Sequence, residues 1–159
     1  MNIAVIIPTY NEKENLPLIT AKLMELPLPG LQLLIIDDNS PDGTGAIADV
    51  LCTQYSGRVQ VLHRTGKLGL GTAYITGFKM LLKTDADAIA QMDADFSHPP
   101  EKLVEMVQAL SQGDLVIGSR YIAGGSLDHN WPIWRKWLSR FGNEYSRVIL
   151  GAKTKDMTA

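Results

Sequence analysis

The sequence predicts an α/β protein built on a mostly parallel sheet flanked by helices. Two observations carry this. Short, continuous apolar runs alternate with stretches whose apolar residues recur at helical spacing. Continuous apolar runs mark strands covered on both faces, as in parallel sheets. A third observation bears on function: the acidic and basic residues of greatest chemical interest fall just past these runs. Ligands of open parallel sheets bind there, outside the carboxyl ends of the strands.

The elements follow in order. Ile3 to Ile7 is a buried strand. Asn11 is placed to cap a helix, with Glu12 and Glu14 in its first turn, where the helix dipole favours acids. Leu16, Ile19, Leu23 and Leu26 form its apolar stripe, and Pro27, Pro29 and Gly30 end it. Leu31 to Ile36 is a second strand, ending at Asp37-Asp38 and a turn over Asn39 to Gly43. Ala46 to Tyr55 reads as a helix and Arg58 to Leu62 as a third strand. A glycine-rich loop (Gly66, Gly69, Gly71) precedes a helix from about Thr72 to Leu82. Ala86 to Met92 is a fourth strand, and Pro100 opens a helix through Leu110. Leu115 to Gly118 reads as a fifth strand, 123–130 as a loop, and Ile133 to Leu150 as a long helix.

With 159 residues, 45% of them hydrophobic, the chain suits one globular domain, 1–159. A net charge of −2 gives no case for a nucleic-acid partner. The single cysteine, Cys52, excludes an internal disulfide framework and fits a reducing, cytoplasmic setting. It lies in an apolar helical stretch and reads as a buried structural thiol. The first residues lack a basic n-region, and Pro8 stops their apolar run, so they do not read as a signal peptide. No run of 18 apolar residues exists.

Asp93-Ala94-Asp95 closes the fourth strand. Carboxylates there are costly to bury unless something positive meets them. A hard divalent cation carrying diphosphate oxygens meets that need, because Mg²⁺ takes one or two carboxylates plus substrate phosphates. Asp37 and Asp38 form a second acidic strand end, suited to a base or ribose, or else to a turn that caps the next helix. The loop Gly66-Lys67-Leu68-Gly69-Leu70-Gly71 is neither a P-loop nor a dinucleotide fingerprint. It is either a close backbone approach to a nucleotide or a plain turn. His98 is either a ligand or a loop residue. His63 and His129 have no zinc-spaced partner, and G-x-S-x-G is absent. Arg120 follows the fifth run, while Arg135 and Ser139 are four apart and share a helix face. Arginine's fork suits phosphate. Trp131, Trp134 and Trp137 cluster, and Trp134 and Trp137 fit either a core-packed helix or a face at a lipid surface, with Arg135, Lys136 and Arg140 near head groups.

Five blocks occur in order: Pro8-Thr9-Tyr10-Asn11-Glu12, Asp37 to Thr44, Gly69-Leu70-Gly71-Thr72-Ala73, Met92 to Pro99, and Gly118-Ser119-Arg120-Tyr121. Together they resemble family 2 glycosyltransferases of the polyprenol (dolichol) phosphate mannosyltransferase group, over essentially the whole chain. The resemblance implies a GT-A (Rossmann-like) fold, a GDP-mannose donor, a polyprenyl phosphate acceptor and transfer with inversion. By position it places Pro8, Tyr10, Glu12 and Asp37 on the nucleotide, with Asp38 beside them. Asp93 and Asp95 would hold Mg²⁺ or Mn²⁺. Arg120, Arg135 and Ser139 match positions that grip the acceptor and donor phosphates. Ser97 stands where some relatives place a glutamine ligand. Asp156-Met157-Thr158-Ala159 resembles the start of a D-x-T-S-G-F block, so the C-terminal part of the family domain is expected to be missing. The resemblance also implies a protein peripheral to, or anchored at, a membrane surface.

Rival readings share some of these features. Another family 2 enzyme using UDP-glucose or UDP-N-acetylglucosamine would carry the same nucleotide and metal motifs. A sugar-nucleotide pyrophosphorylase would place its glycine-rich loop after the first strand. A phospho-receiver domain would place its acids after the first and third strands. A catalytically silent nucleotide-binding fragment is the rival of another class.

Overall fold

The computed structural model describes residues 1–122, 132–151, 154 and 156, with only the backbone of 135 and 136. The expected loop at 123–130 with His129, Trp131, and Met157 to Ala159 lie outside the described residues. The chain divides into two compact units, Met1–Glu105 and Met106–Ala159.

The first unit alternates strand and helix: β1 (Ile3–Thr9), α1 (Asn15–Met24), β2 (Leu31–Asp37), α2 (Thr44–Gln54), β3 (Val59–His63), α3 (Leu70–Leu81) and β4 (Ala88–Gln91). Helix α4 (Lys102–Ala109) follows and runs into a 3-10 turn, Leu110–Gln112. All sheet pairings are parallel, in the order β3-β2-β1-β4. Strand β1 is therefore central, and Ile3 to Ile7 are buried. Their side chains alternate between the faces. Ala4 and Ile6 join Leu34, Ile36, Ala73 and Leu81 in one cluster under α3. Gly77 lets α3 settle there: a Cβ on it would lie 2.9 Å from Ile6 Cδ1. Leu16, Ile19 and Leu23 of α1 and Ala48 and Leu51 of α2 are also buried, as their spacing requires. Each buried leucine or isoleucine among them contributes on the order of 1.5–3 kcal/mol by leaving water.

The strand order fixes where ligands go. From β1 the chain builds outward through β2 to β3, then returns to place β4 on the other side of β1. The carboxyl ends of β1 and β4 thus diverge at a topological switch point, where such sheets open a crevice.

The loops at these ends are tightly specified. Asn11, Asn39 and Phe96 have φ of 63°, 55° and 62°, one each after β1, β2 and β4. Asparagine tolerates this region, while a bulky residue such as Phe96 does so only under constraint. Asn11 thus does not cap α1, which starts at Asn15 without a side-chain cap. Instead the Asn11 N–H donates to Ser40 Oγ (3.1 Å). Thr44 stitches the first two loops: its hydroxyl accepts from the Glu12 N–H (2.9 Å) and donates to Asp42 Oδ1 (2.6 Å). Hydrogen bonding from the Thr44 hydroxyl holds the Asp42 carboxyl below its ordinary value. That contribution to stability is present at neutral pH and is lost as pH falls through the lowered value. Thr44→Val, which keeps the shape but leaves the part-buried Glu12 N–H without its partner, is expected to cost about 1 kcal/mol in denaturant titration.

Three sequence expectations change. Residues 115–118 form no strand; Leu115 and Ile117 are exposed. An apolar run is necessary for a buried strand but does not supply the pairing partner that makes it one. Cys52 is only partly buried, and its thiol donates to the Val59 carbonyl (3.2 Å). In the second unit α5 spans Ile133–Leu150, and Trp134 and Trp137 are 66% and 70% exposed within the chain, against the core reading. With Ile133, Leu138 and Phe141 they line an open apolar groove. Among the described residues no helix is long and apolar enough to cross a membrane.

Candidate active site

A cavity of about 230 Å³ opens in the first unit, at the carboxyl end of the sheet. Every strand's following loop reaches it. Pro8, Thr9, Tyr10 and Glu12 come from the end of β1, and Asp38 from the end of β2. Lys67, Gly69, Leu70 and Ala73 come from the loop after β3 and the start of α3, and Asp93, Ala94 and Asp95 from the turn after β4. Six sequence-predicted residues of this unit, Pro8, Tyr10, Glu12, Asp38, Asp93 and Asp95, line the cavity.

The acidic turn after β4 is held from several sides. Asp93 Oδ1 accepts the Tyr74 hydroxyl (2.8 Å), and the Asp93 N–H donates to His98 Nδ1 (3.2 Å). His98 is thus a loop-building residue whose Nδ1 is already engaged. Asp95 Oδ1 accepts the Ser97 N–H (2.9 Å). Although partial burial pushes the other way, bonds from Ser97 and the nearby His98 hold the Asp95 carboxyl below its ordinary value. Burial, reinforced by the Asp93 carboxylate, pushes the Tyr74 phenol far up, so it stays a donor at any ordinary pH. Lys22 lies over the Phe96 ring (5.5 Å) and ties this turn to α1.

Among the described residues no group of three or more His, Cys, Asp or Glu converges as a metal cage. The donor set fits a hard, oxygen-seeking cation all the same. Two carboxylates of one turn face one cavity, and Mg²⁺-type sites draw their other ligands from water and substrate phosphates.

The two acids after β2 divide their work. Asp37 does not line the cavity. Its Oδ1 accepts from the Ser40 hydroxyl (2.6 Å) and the Thr9 hydroxyl (3.3 Å), and its Oδ2 from the Ser40 N–H (3.1 Å), so it builds the turn. Asp38 lines the cavity and pairs with Arg64, Nε to Oδ1 at 2.9 Å, with both side chains buried. Asp38 Oδ2 also accepts the Leu68 N–H (3.3 Å), and Arg64 Nη2 donates to the Thr72 hydroxyl (3.0 Å). The pair thereby fastens the glycine-rich loop to the end of β2. Glu12 is steadied by Asn15 Nδ2 (2.9 Å to Oε2).

In the second unit Arg120 forms a forked ion pair with the buried Asp156, Nε to Oδ2 at 2.8 Å and Nη2 to Oδ1 at 2.9 Å. Hydrogen bonding to Asp156 raises the guanidinium pKa further. The Ser139 hydroxyl lies 2.9 Å from the Tyr121 hydroxyl. The Arg135 side chain lies outside the described residues.

Sequence reasoning missed the partners of its own acids. Tyr74 lies unremarked in the helix expected from about Thr72, and Lys67 lies in a loop read either as a close backbone approach to a nucleotide or as a plain turn. Only the packing of α3 against β4 and the run of the loop beside β1 bring them to Asp93 and Tyr10.

The sequence and the fold have known relatives. The profile described as Glycosyl transferase family 2 matches residues 4–159. The chain belongs to that family. It is 50% identical over 156 residues to the polyprenol monophosphomannose synthase of Mycolicibacterium smegmatis, covering 98% of this chain and 58% of the relative. It is 47% identical over 159 residues to the undecaprenyl-phosphate mannosyltransferase of Micrococcus luteus, covering 100% of this chain and 64% of the relative. The chain thus spans about three fifths of these relatives' length. In fold it resembles a mannosyltransferase of Pyrobaculum calidifontis, solved in complex with GDP-Man and Mn²⁺, with TM-score 0.60 and 24% identity over 69% of this chain and 32% of that one. The parallel sheet with its flanking helices is of the GT-A type.

Proposed function

We propose that this chain is the donor-binding part of an inverting hexosyltransferase that moves mannose from GDP-mannose to a polyprenyl phosphate. The observation that carries the reading is the meeting of Tyr10, Glu12 and Asp38 with Asp93 and Asp95 in one cavity at the switch point. Relatives 47–50% identical that are named for mannosyl transfer to polyprenol carriers support the sugar and the acceptor class.

In this reading the nucleoside lies against Pro8 and Tyr10, with Glu12 and Asp38 as hydrogen-bond acceptors. Asp37 acts behind them by fixing the turn. The diphosphate points at Asp93 and Asp95. A divalent cation, Mg²⁺ or Mn²⁺, held by these two carboxylates would offset charge developing on the departing diphosphate. Tyr74 and Ser97 supply the hydrogen bonds that orient the two carboxylates before any ligand arrives.

The acceptor needs no base. A phosphate monoester has its second pKa near roughly 6 and is already largely anionic at neutral pH. Its oxygen attacks the anomeric carbon opposite the leaving diphosphate, inverting that centre. Basic groups position it, a role we assign to Arg120 and Arg135 with Ser139. The apolar face of α5 suits the membrane surface in which such an acceptor sits.

The test is a transfer assay on the full protein with radiolabelled GDP-mannose, UDP-glucose and UDP-N-acetylglucosamine and a polyprenyl phosphate. The proposal expects label in the lipid fraction from GDP-mannose. Label only from a uridine nucleotide would move the chain to the other donor class. No transfer together with retained nucleotide binding would support the silent-fragment rival.

A further inference from the structure

Lys67 Nζ sits 4.2 Å from the centroid of the Tyr10 ring, and both residues line the cavity. Among the lining residues it is the one cation, facing Glu12, Asp38, Asp93 and Asp95. Asp38 is already neutralised by Arg64. No carboxylate among the described residues pairs with Lys67, whose ammonium rests on the ring face alone. An exposed lysine over an aromatic ring is held by only about 0.5–1 kcal/mol, so it is easily drawn away. The lysine stem is long and flexible and carries a compact point charge suited to phosphate oxygens.

An anionic diphosphate entering a cavity lined by carboxylates needs more positive charge than one divalent cation supplies. We propose that Lys67 is a donor-binding residue that leaves the Tyr10 ring on ligand entry and pairs with the diphosphate, freeing the ring face for the nucleoside. The proposal rests on the donor-binding reading above.

Calorimetric titration of the wild-type chain, Lys67→Met and Lys67→Arg with GDP and with UDP, in excess Mg²⁺ and at several salt concentrations, tests it. Thermal melts confirm that each variant folds, as expected for an exposed loop side chain. For the nucleotide that wild type binds, Lys67→Met is expected to weaken affinity about ten- to a hundredfold, in line with loss of a charged hydrogen bond. The dependence of Kd on salt should also flatten, because one ion pair is gone. Lys67→Arg should stay within a few fold of wild type. A Lys67→Met Kd within twofold of wild type overturns the proposal. A weakened Kd with an unchanged salt dependence also overturns it, because the lysine then reads a neutral part of the nucleoside. Failure of wild type to bind either diphosphate removes the donor-binding reading, and this inference with it.

Discussion

Asp95→Ala is expected to abolish metal-dependent transfer and to leave the fold intact. Asp95 is exposed at the cavity, so its loss opens no core and strands no buried donor except the solvent-accessible Ser97 N–H. A melt should therefore move little. Chemically the change removes one of two carboxylates proposed to hold the cation that meets the leaving diphosphate. Loss of a single preorganised charge-stabilising contact costs roughly 10²–10³ in turnover, and losing half of the protein's ligand set should cost at least that. Two measurements check it: Mn²⁺ binding by electron paramagnetic resonance on the isolated chain, and mannosyl transfer by the full protein. Wild-type turnover in the variant removes the metal assignment. Tyr74→Phe provides a graded companion: it keeps both carboxylates but frees Asp93 Oδ1, and a 10- to 100-fold loss of Mn²⁺ affinity is expected for a missing orienting hydrogen bond.

Arg64→Met should have the largest effect on stability. It leaves the Asp38 carboxylate buried beside an apolar side chain, with the Leu68 N–H as its remaining partner among the described residues. Breaking a buried ion pair by removing one partner typically costs about 3–5 kcal/mol. For a domain of this size each kcal/mol lowers Tm by about 2–4 °C, so a fall on the order of 10 °C is expected. The same change removes the tie from Thr72 through Arg64 to the end of β2 and leaves the glycine-rich loop joined to Asp38 by the Leu68 N–H. Nucleotide affinity should therefore drop even where the chain remains folded. Asp38→Asn with Arg64→Gln, which removes both charges, should recover part of the stability but not the affinity. A single variant as stable as wild type would show that the pair does not hold this end of the sheet.

The strands and helices of the first unit were legible because burial on both faces leaves continuous apolar runs, and helices leave a 3.6-residue stripe. Leu31–Asp37 and Asn15–Met24, with Leu16, Ile19 and Leu23 buried, illustrate each signal. The run at 115–118 was misleading, because pairing depends on a neighbour that sequence does not display. The start of α1 was misplaced because Asn11 spends its backbone in a left-handed turn, joined to Ser40 twenty-nine residues away. Among the site residues, Asp93, Asp95, Tyr10 and Glu12 were visible from their place at strand ends. The division of labour between Asp37 and Asp38 was not, because it depends on which acid meets Ser40 and which meets Arg64.

In the proposed function the crevice between β1 and β4 binds a nucleoside diphosphate sugar through a cation held by Asp93 and Asp95. Calorimetric titration of the wild-type chain with GDP-mannose, with and without Mn²⁺, tests it most directly. Saturable binding at one site is expected, strengthened at least tenfold by Mn²⁺, with that gain lost in Asp95→Ala. Binding that is indifferent to Mn²⁺, or no binding of GDP-mannose and UDP-sugars alike, would contradict it.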